Sequence, residues 1–165
     1  MYLSFNNLKL ITKYFLISIL LILAQAYCPQ IWITQNFNIN IDLLLIFLTF
    51  LCLLKNDIYI IIIYAFLIGL LQDFVINVGI IGSLSFLKSL VAYSIGLLNK
   101  RNRLWNKSIK ILYLYFIYFC HFFIYYYILM NNNFILIFSL SIVQSLVSLM
   151  LFYIIEKIFY KSKLI

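Results

Sequence analysis

The basic residues of this chain alternate with its long apolar segments. Eleven of the twelve Lys and Arg residues lie at the N-terminus, between the second and third apolar segments, between the fourth and fifth, or at the C-terminus. The three other connections contain no basic residue. Because Lys and Arg are retained on the cytoplasmic face of a membrane, this alternation predicts a multi-pass membrane protein with both termini in the cytoplasm.

The composition agrees with a membrane protein. Hydrophobic residues make up 67% of the chain and charged residues 10%, and the mean hydropathy is +1.12. So little polar surface cannot cover a soluble globule. The net charge of +8 does not indicate nucleic-acid binding, since the bases flank the apolar segments instead of forming one patch.

The chain is predicted to form one transmembrane domain, residues 1–165, built as an all-α bundle of six helices. The second segment has the weakest pattern, because fourteen residues rise only about 21 Å against a bilayer core of about 30 Å. Ile31-Trp32-Ile33 and Phe37 either extend this segment or lie in the outer interface. The predicted spans are residues 10–26, 41–54, 58–76, 80–98, 109–130 and 134–155.

The first segment also resembles a secretory signal peptide. Lys9 and Lys13 precede an apolar run that ends in Ala24-Gln25-Ala26, a pattern typical of a cleavage site. Cleavage would leave the basic loops in the wrong alternation, so we expect an uncleaved anchor. Cys28, Cys52 and Cys120 are too widely separated for a metal site or a disulfide framework.

The sequence contains no catalytic motif, and we expect no enzyme activity, no metal and no cofactor. The four acidic residues belong to different segments, so no pair of carboxylates shares a helix face. The single histidine, His121, lies among Cys120, Phe122 and Phe123. A buried packing role fits this setting better than a ligand or proton-relay role.

Asp73 and Lys88 lie at or within the apolar zone, on either side of a turn that includes Gly79 and Gly82. An isolated charge at such a depth costs roughly 3 kcal/mol or more, so intramembrane charges usually have partners. We expect the two side chains to form an ion pair that faces the bundle interior near the outer leaflet. In the alternative arrangement, Asp73 caps the turn and Lys88 extends alone toward the headgroups.

Small and hydroxylated residues follow one face of two predicted helices. Such faces allow close packing and hydrogen bonding between helices in lipid. They serve either packing within one bundle or contact with a partner's membrane helix. The two sets are Ser85, Ser89, Ala92 and Gly96 in the fourth span, and Ser141, Ser145 and Ser148 in the sixth.

The stretch from Gly69 to Gly96 resembles the MreD family, the rod shape-determining membrane proteins of bacteria. The resemblance rests on Gly69-Leu-Leu-Gln-Asp73, then Gly82, then Leu90-Val-Ala-Tyr93 with Gly96 and a basic exit. Length, span number and Ile41-Asp42-Leu-Leu-Leu are also similar. The family often has Ser-Pro-Leu-Gly and a following His, where this chain has Gly79-Ile-Ile-Gly82 and Leu84. No role of that His is therefore carried over.

The resemblance implies a non-enzymatic subunit of the cell-elongation machinery in the bacterial inner (plasma) membrane. Such a subunit would bind MreC and assemble with MreB, RodA and the class B transpeptidase that build lateral peptidoglycan. The residues expected to serve structure or interaction are Gly69, Gln72, Asp73, Gly82, Ser85, Lys88, Ser89, Tyr93 and Gly96.

An alternative of another class is the substrate-binding subunit of an energy-coupling-factor vitamin transporter, which has a similar six-span fold. Those subunits usually carry an Ala-x-x-x-Ala docking pattern in their first helix. The first span here has only Ala24 and Ala26, which do not fit that spacing.

Overall fold

The computed structural model describes residues 5–27, 31–34, 37–39, 41–55, 57–76, 81–101, 105–129 and 133–160. These residues form six α-helices and one pair of short strands. Each helix overlaps one of the six predicted spans, and α1 and α6 extend about five residues beyond theirs. The elements are α1 (Phe5–Tyr27), β1 (Ile31–Thr34), β2 (Phe37–Ile39), α2 (Leu43–Leu54), α3 (Ile58–Ile76), α4 (Ser83–Lys100), α5 (Lys107–Leu129) and α6 (Phe134–Tyr160).

Three of these helices are long and apolar enough to cross a membrane. They comprise Ile58–Val75 in α3, Lys107–Leu129 in α5 and Phe134–Phe159 in α6. Thr12–Tyr27 in α1 and Leu43–Leu54, which is α2, are shorter apolar helices. The chain is therefore a helical protein with the apolar helices of a membrane protein.

The segment before α2 forms an antiparallel strand pair. Ile31 lies opposite Ile39 and Trp32 opposite Asn38, with an irregularity between Trp32 and Thr34. Of the two alternatives stated for this segment, an extension of the second helix is therefore wrong. β-Branched and aromatic residues favour extended backbone here, and the helix begins only after Asp42, its N-cap residue.

α2 is the central helix of the bundle. It contacts α1, α3, α4 and α6, and nine of its twelve residues are buried. The rings of Phe50 in α2 and Phe152 in α6 lie 4.7 Å apart. Since neighbouring helices surround α2, its apolar side chains pack against protein rather than lipid.

α3 and α4 form a closely packed hairpin. A Cβ atom added at Gly69 would lie 2.5 Å from the Cα atom of Ser85, so the two backbones approach too closely there for any side chain. Farther along the hairpin, Gly96 packs against Ile58. Ser85, Ala92 and Gly96 are buried, so these three members of the predicted small-residue face of α4 pack within the bundle, whereas Ser89 is only partly buried. The serine face of α6 is also buried.

Candidate functional site: a buried ion pair between α2 and α4

Asp42 is a buried carboxylate at the start of α2. Its side chain is the N-cap of that helix, because Oδ1 accepts a hydrogen bond of 3.0 Å from the backbone N–H of Leu45. The same oxygen lies 2.9 Å from Nζ of Lys88, which donates to it. One carboxylate therefore caps α2 and binds α4.

Lys88 lies wholly inside the bundle, with no part of the residue exposed. Its partner Asp42 is 5% exposed. An unpaired ammonium at this depth would be costly, and the carboxylate provides the opposite charge and a hydrogen-bond acceptor. Removing either side chain would leave the other as an uncompensated buried charge.

His121 of α5 is the third member of the cluster. Its Nε2 atom lies 3.8 Å from Oδ2 of Asp42, and the residue is 3% exposed. The predicted buried packing role agrees with this position. The cluster therefore brings together side chains from α2, α4 and α5, and we call Asp42, Lys88 and His121 the buried triad.

The expected ion pair between Asp73 and Lys88 is not formed. Instead, the carboxylate of Asp73 accepts hydrogen bonds from backbone N–H groups at the start of α4: Gly82 at 3.0 Å, Leu84 at 3.2 Å and Ser85 at 3.3 Å. These N–H groups have no partner within the helix, so the carboxylate satisfies them. A negative charge at the N-terminal end of a helix is also stabilised by the helix dipole. Asp73 thus caps α4, as the alternative stated above expected. The other part of that alternative is wrong, because Lys88 is buried and paired with Asp42 and does not extend alone toward the headgroups.

Gly82 provides the turn that makes this cap possible. Its φ of +98° lies in the left-handed region that glycine adopts without strain. The hydroxyl of Ser85 donates a 2.7 Å hydrogen bond back to the Gly82 carbonyl. The predicted residues Gly69, Asp73, Gly82 and Ser85 therefore lie together at one end of the α3–α4 hairpin.

The other predicted residues lie apart from the triad. Gln72 is buried and donates a 3.3 Å hydrogen bond to Gln25 of α1. Ser89 donates to the carbonyl of Phe86 in its own helix. Tyr93 is half exposed on the outside of α4, and Gly96 packs near the opposite end of the hairpin from Gly82.

Two further polar contacts of α5 were not predicted. Thr49 of α2 and Tyr118 of α5 share a hydrogen bond of 2.7 Å between their hydroxyl groups, and both residues are buried. Tyr126 of α5 donates to Oε1 of Gln144 in α6. The signal for both was a polar side chain within an apolar segment, which needs a partner in lipid.

The arrangement suits the binding of helices to one another. Each oxygen of Asp42 faces a nitrogen, and the three side chains are closed off from solvent. Among the residues that the structure describes, no group of three or more His, Cys, Asp or Glu is placed to hold a metal ion. Comparisons with protein families, curated proteins and solved structures find no match for this chain.

Proposed function

We propose that this chain is an MreD-type, non-enzymatic membrane subunit of the bacterial cell-elongation complex. One observation carries the proposal. Gly69, Asp73, Gly82 and Gly96, which carry the resemblance, are the residues whose contacts define the α3–α4 hairpin. The residues that carry the resemblance therefore belong to one structural unit and are not scattered through the fold. In this role the chain would bind MreC and sit with MreB, RodA and the class B transpeptidase.

The proposal includes six membrane spans with both termini in the cytoplasm. It is supported by the way that α2 and α4 end together: the side-chain amide of Asn99 donates to the carbonyls of Cys52 and Lys55. Lys55, Lys100 and Arg101 therefore share one end of the bundle. That end would face the cytoplasm under the positive-inside rule.

α2 is shorter than the hydrocarbon core of a bilayer, so in this proposal α2 spans only part of the membrane thickness. Its twelve residues rise about 18 Å, and the strand pair β1–β2 precedes its Asp42 end. Since α2 is packed among other helices, its length need not match the hydrocarbon thickness as that of a lipid-facing helix must.

In this proposal the buried triad serves assembly and not catalysis. The pair of Asp42 and Lys88 holds α2 against α4, and the Asp73 cap holds the start of α4 against α3. A rigid bundle of this kind would present a fixed outer surface to a partner's membrane helix.

Depletion in the rod-shaped host tests the role. We expect depleted cells to become round while division continues, and the tagged protein to bring MreC with it on purification. Re-expression of the parent chain should restore rods. Asp57→Asn is the matched control, because Asp57 is an exposed acid outside the triad, and it should restore rods equally well.

Two results would contradict the proposal. Normal rods after complete depletion, in a host without a second copy of the gene, would exclude a role in elongation. Purification with a transporter ATPase in place of MreC would favour the energy-coupling-factor alternative.

A further inference from the structure

α4 exposes one narrow stripe of side chains, and we call it the α4 stripe. Its members follow one another at intervals of four, three, four and three residues: Phe86, Leu90, Tyr93, Leu97 and Lys100. The rest of α4 is buried or partly buried, and the helix contacts α2, α3 and α5. This spacing is that of the seam between two helices that cross at a small angle. Lipid could also cover such a stripe, so its polar member decides between the two.

Tyr93 is the polar residue within the stripe. It is 50% exposed, and its hydroxyl has no hydrogen-bond partner among the residues that the structure describes. Tyr93 lies ten residues after Ser83 and seven before Lys100, about 15 Å and 10 Å along the helix axis. Long side chains of a helix lean toward its N-terminus, which takes this hydroxyl farther from the Lys100 end. Lipid tails offer it no hydrogen bond there.

The other exposed tyrosines of the described chain are placed differently. Tyr27, Tyr59 and Tyr127 each lie within two residues of a helix end. Tyr153 lies one turn before the basic residue in the last turn of α6. Tyrosines at such positions can reach the headgroup region, where they are favoured. Tyr93 is the exception, so its hydroxyl requires a partner from another molecule.

A second copy of the chain supplies that partner at the right depth. Two copies inserted in the same direction are related by an axis along the membrane normal, so each residue lies at the depth of its equivalent. A hydroxyl group both donates and accepts, so the hydrogen of one Tyr93 is complementary in charge to the oxygen of the other. The oxygen of Ser89, one turn away and only partly buried, can accept from the second hydroxyl, because its own hydrogen is donated to Phe86.

The rest of the stripe is compatible with this contact. Leu90 and Leu97 lie on either side of Tyr93 and would pack against the same leucines of the second copy. Lys100 has its Nζ atom 5.9 Å from the centre of the Tyr59 ring in α3. Its ammonium is therefore turned toward its own copy, and the two positive charges need not meet.

We propose that the chain forms a homodimer through the α4 stripe, with a hydrogen bond between the two Tyr93 hydroxyl groups inside the membrane. The occupant of the stripe is thus a second copy of this chain. The inference does not depend on the role proposed in cell elongation, since the dimer requires neither MreC nor any other protein.

Counting copies in lipid vesicles tests the dimer. The protein carries one fluorescent label and is placed in vesicles of phosphatidylethanolamine and phosphatidylglycerol at falling protein-to-lipid ratios. We expect dimers that dissociate on dilution. Tyr93→Phe removes only the hydroxyl and should weaken the dimer about three- to twentyfold, the range for single hydrogen bonds between membrane helices. Tyr127→Phe is the matched control, since Tyr127 is exposed outside the stripe, and it should dimerise like the parent.

Cross-linking between copies tests which surface they share. In a variant without Cys28, Cys52 and Cys120, Leu97→Cys should cross-link to itself on oxidation, because symmetry brings the two positions together. Leu146→Cys is the matched control. Leu146 is an exposed leucine well inside α6, and this variant should stay uncross-linked.

Three results would overturn the proposal. Monomers at every protein-to-lipid ratio would mean that lipid, or the helix of another protein, covers the stripe. Parent-like dimerisation of Tyr93→Phe, with an unchanged unfolding midpoint, would mean that the hydroxyl groups do not meet. Cross-linking at position 146 in place of position 97 would assign the dimer contact to α6.

Discussion

Lys88 of α4 donates a 2.9 Å hydrogen bond to Asp42, which lies 46 residues earlier at the start of α2. A second contact shows why the two residues lie at the same height along the bundle: the side-chain amide of Asn99 in α4 donates to the carbonyl of Cys52 in α2. Counting back from that contact, Asp42 lies about 15 Å along α2 and Lys88 about 16.5 Å along α4. Because the two helices run in the same direction, the charges meet.

Breaking this pair from either side should destabilise the protein strongly. Asp42→Asn and Lys88→Met should each cost about 3–5 kcal/mol, since each leaves an uncompensated buried charge. Asp42→Asn should be the worse of the two, because Asp42 keeps His121 at 3.8 Å when Lys88 is removed. The double variant should cost less than the sum of the two singles. Unfolding in detergent measures all three.

Asp57→Asn serves as the control for that cycle, since it removes an exposed carboxylate and should leave the unfolding midpoint nearly unchanged. Strictly additive effects of Asp42→Asn and Lys88→Met would show that the contact contributes no coupling energy.

Removing the carboxylate of Asp73 should weaken the start of α4. Asp73→Ala should cost about 1–2 kcal/mol, the usual effect of losing an N-cap. Asp73→Asn should cost less, because its amide oxygen can still accept from one of the three backbone N–H groups. Hydrogen exchange at Leu84 and Ser85 would report the loss locally. Equal exchange in the parent and Asp73→Ala would contradict the cap.

A methyl group at Gly69 should not be accommodated. The atoms it would meet are the Cα and N of Ser85, at 2.5 and 2.9 Å, and backbone atoms cannot turn away. Gly69→Ala should therefore destabilise the protein by about 1–3 kcal/mol. Truncating the Ser85 side chain in the same variant should not restore the lost stability, because the clash is with backbone atoms.

Gly96→Ala should behave differently, although it also enters a tight space. Its new methyl group would meet only side-chain atoms of Ile58, at 2.9 to 3.1 Å. Combining it with Ile58→Ala should therefore give a smaller loss than the two single effects added together. The unfolding midpoints of the single and double variants measure this. If Ile58→Ala did not reduce the loss of stability caused by Gly96→Ala, the contact between Gly96 and Ile58 would be contradicted.

Cysteine labelling tests the proposed topology. In a variant without Cys28, Cys52 and Cys120, single cysteines replace Asn106, before α5, and Asn133, before α6; both positions are exposed. A membrane-impermeant maleimide added to intact cells should label position 133 and leave position 106 unlabelled until the membrane is opened. Labelling of position 106 from outside would invalidate the six-span order.

The positions of the helices could be predicted because hydrophobic length and basic boundaries are local signals. α3 begins and ends at the residues that the pattern indicated, and α5 and α6 begin within two residues of the predicted starts. The strand pair before α2 was missed, since seven residues in two short strands give almost no periodicity.

The partner of Lys88 could not be found in the same way. Lys88 does pair with a carboxylate, as predicted, but the predicted partner was Asp73, the acid nearest to it in the α3–α4 hairpin, and the actual partner is Asp42. Asp73 is held instead by the N–H groups of the turn beside it. Asp42 is the partner of Lys88 because α2 packs beside α4 with the two residues at the same height. The relative position of two helices that are not adjacent in the chain cannot be deduced from a single sequence.

The two contacts between α2 and α4 have a mechanical consequence. They lie at opposite ends of α2, the Asp42–Lys88 pair at its beginning and the Asn99 hydrogen bonds at its end. A slide of α2 by even one helical turn, about 5.4 Å, would break both at once. α4 is in turn locked to α3 at Gly69. These contacts join α2, α3 and α4 into one unit that resists the sliding of any one helix along the others.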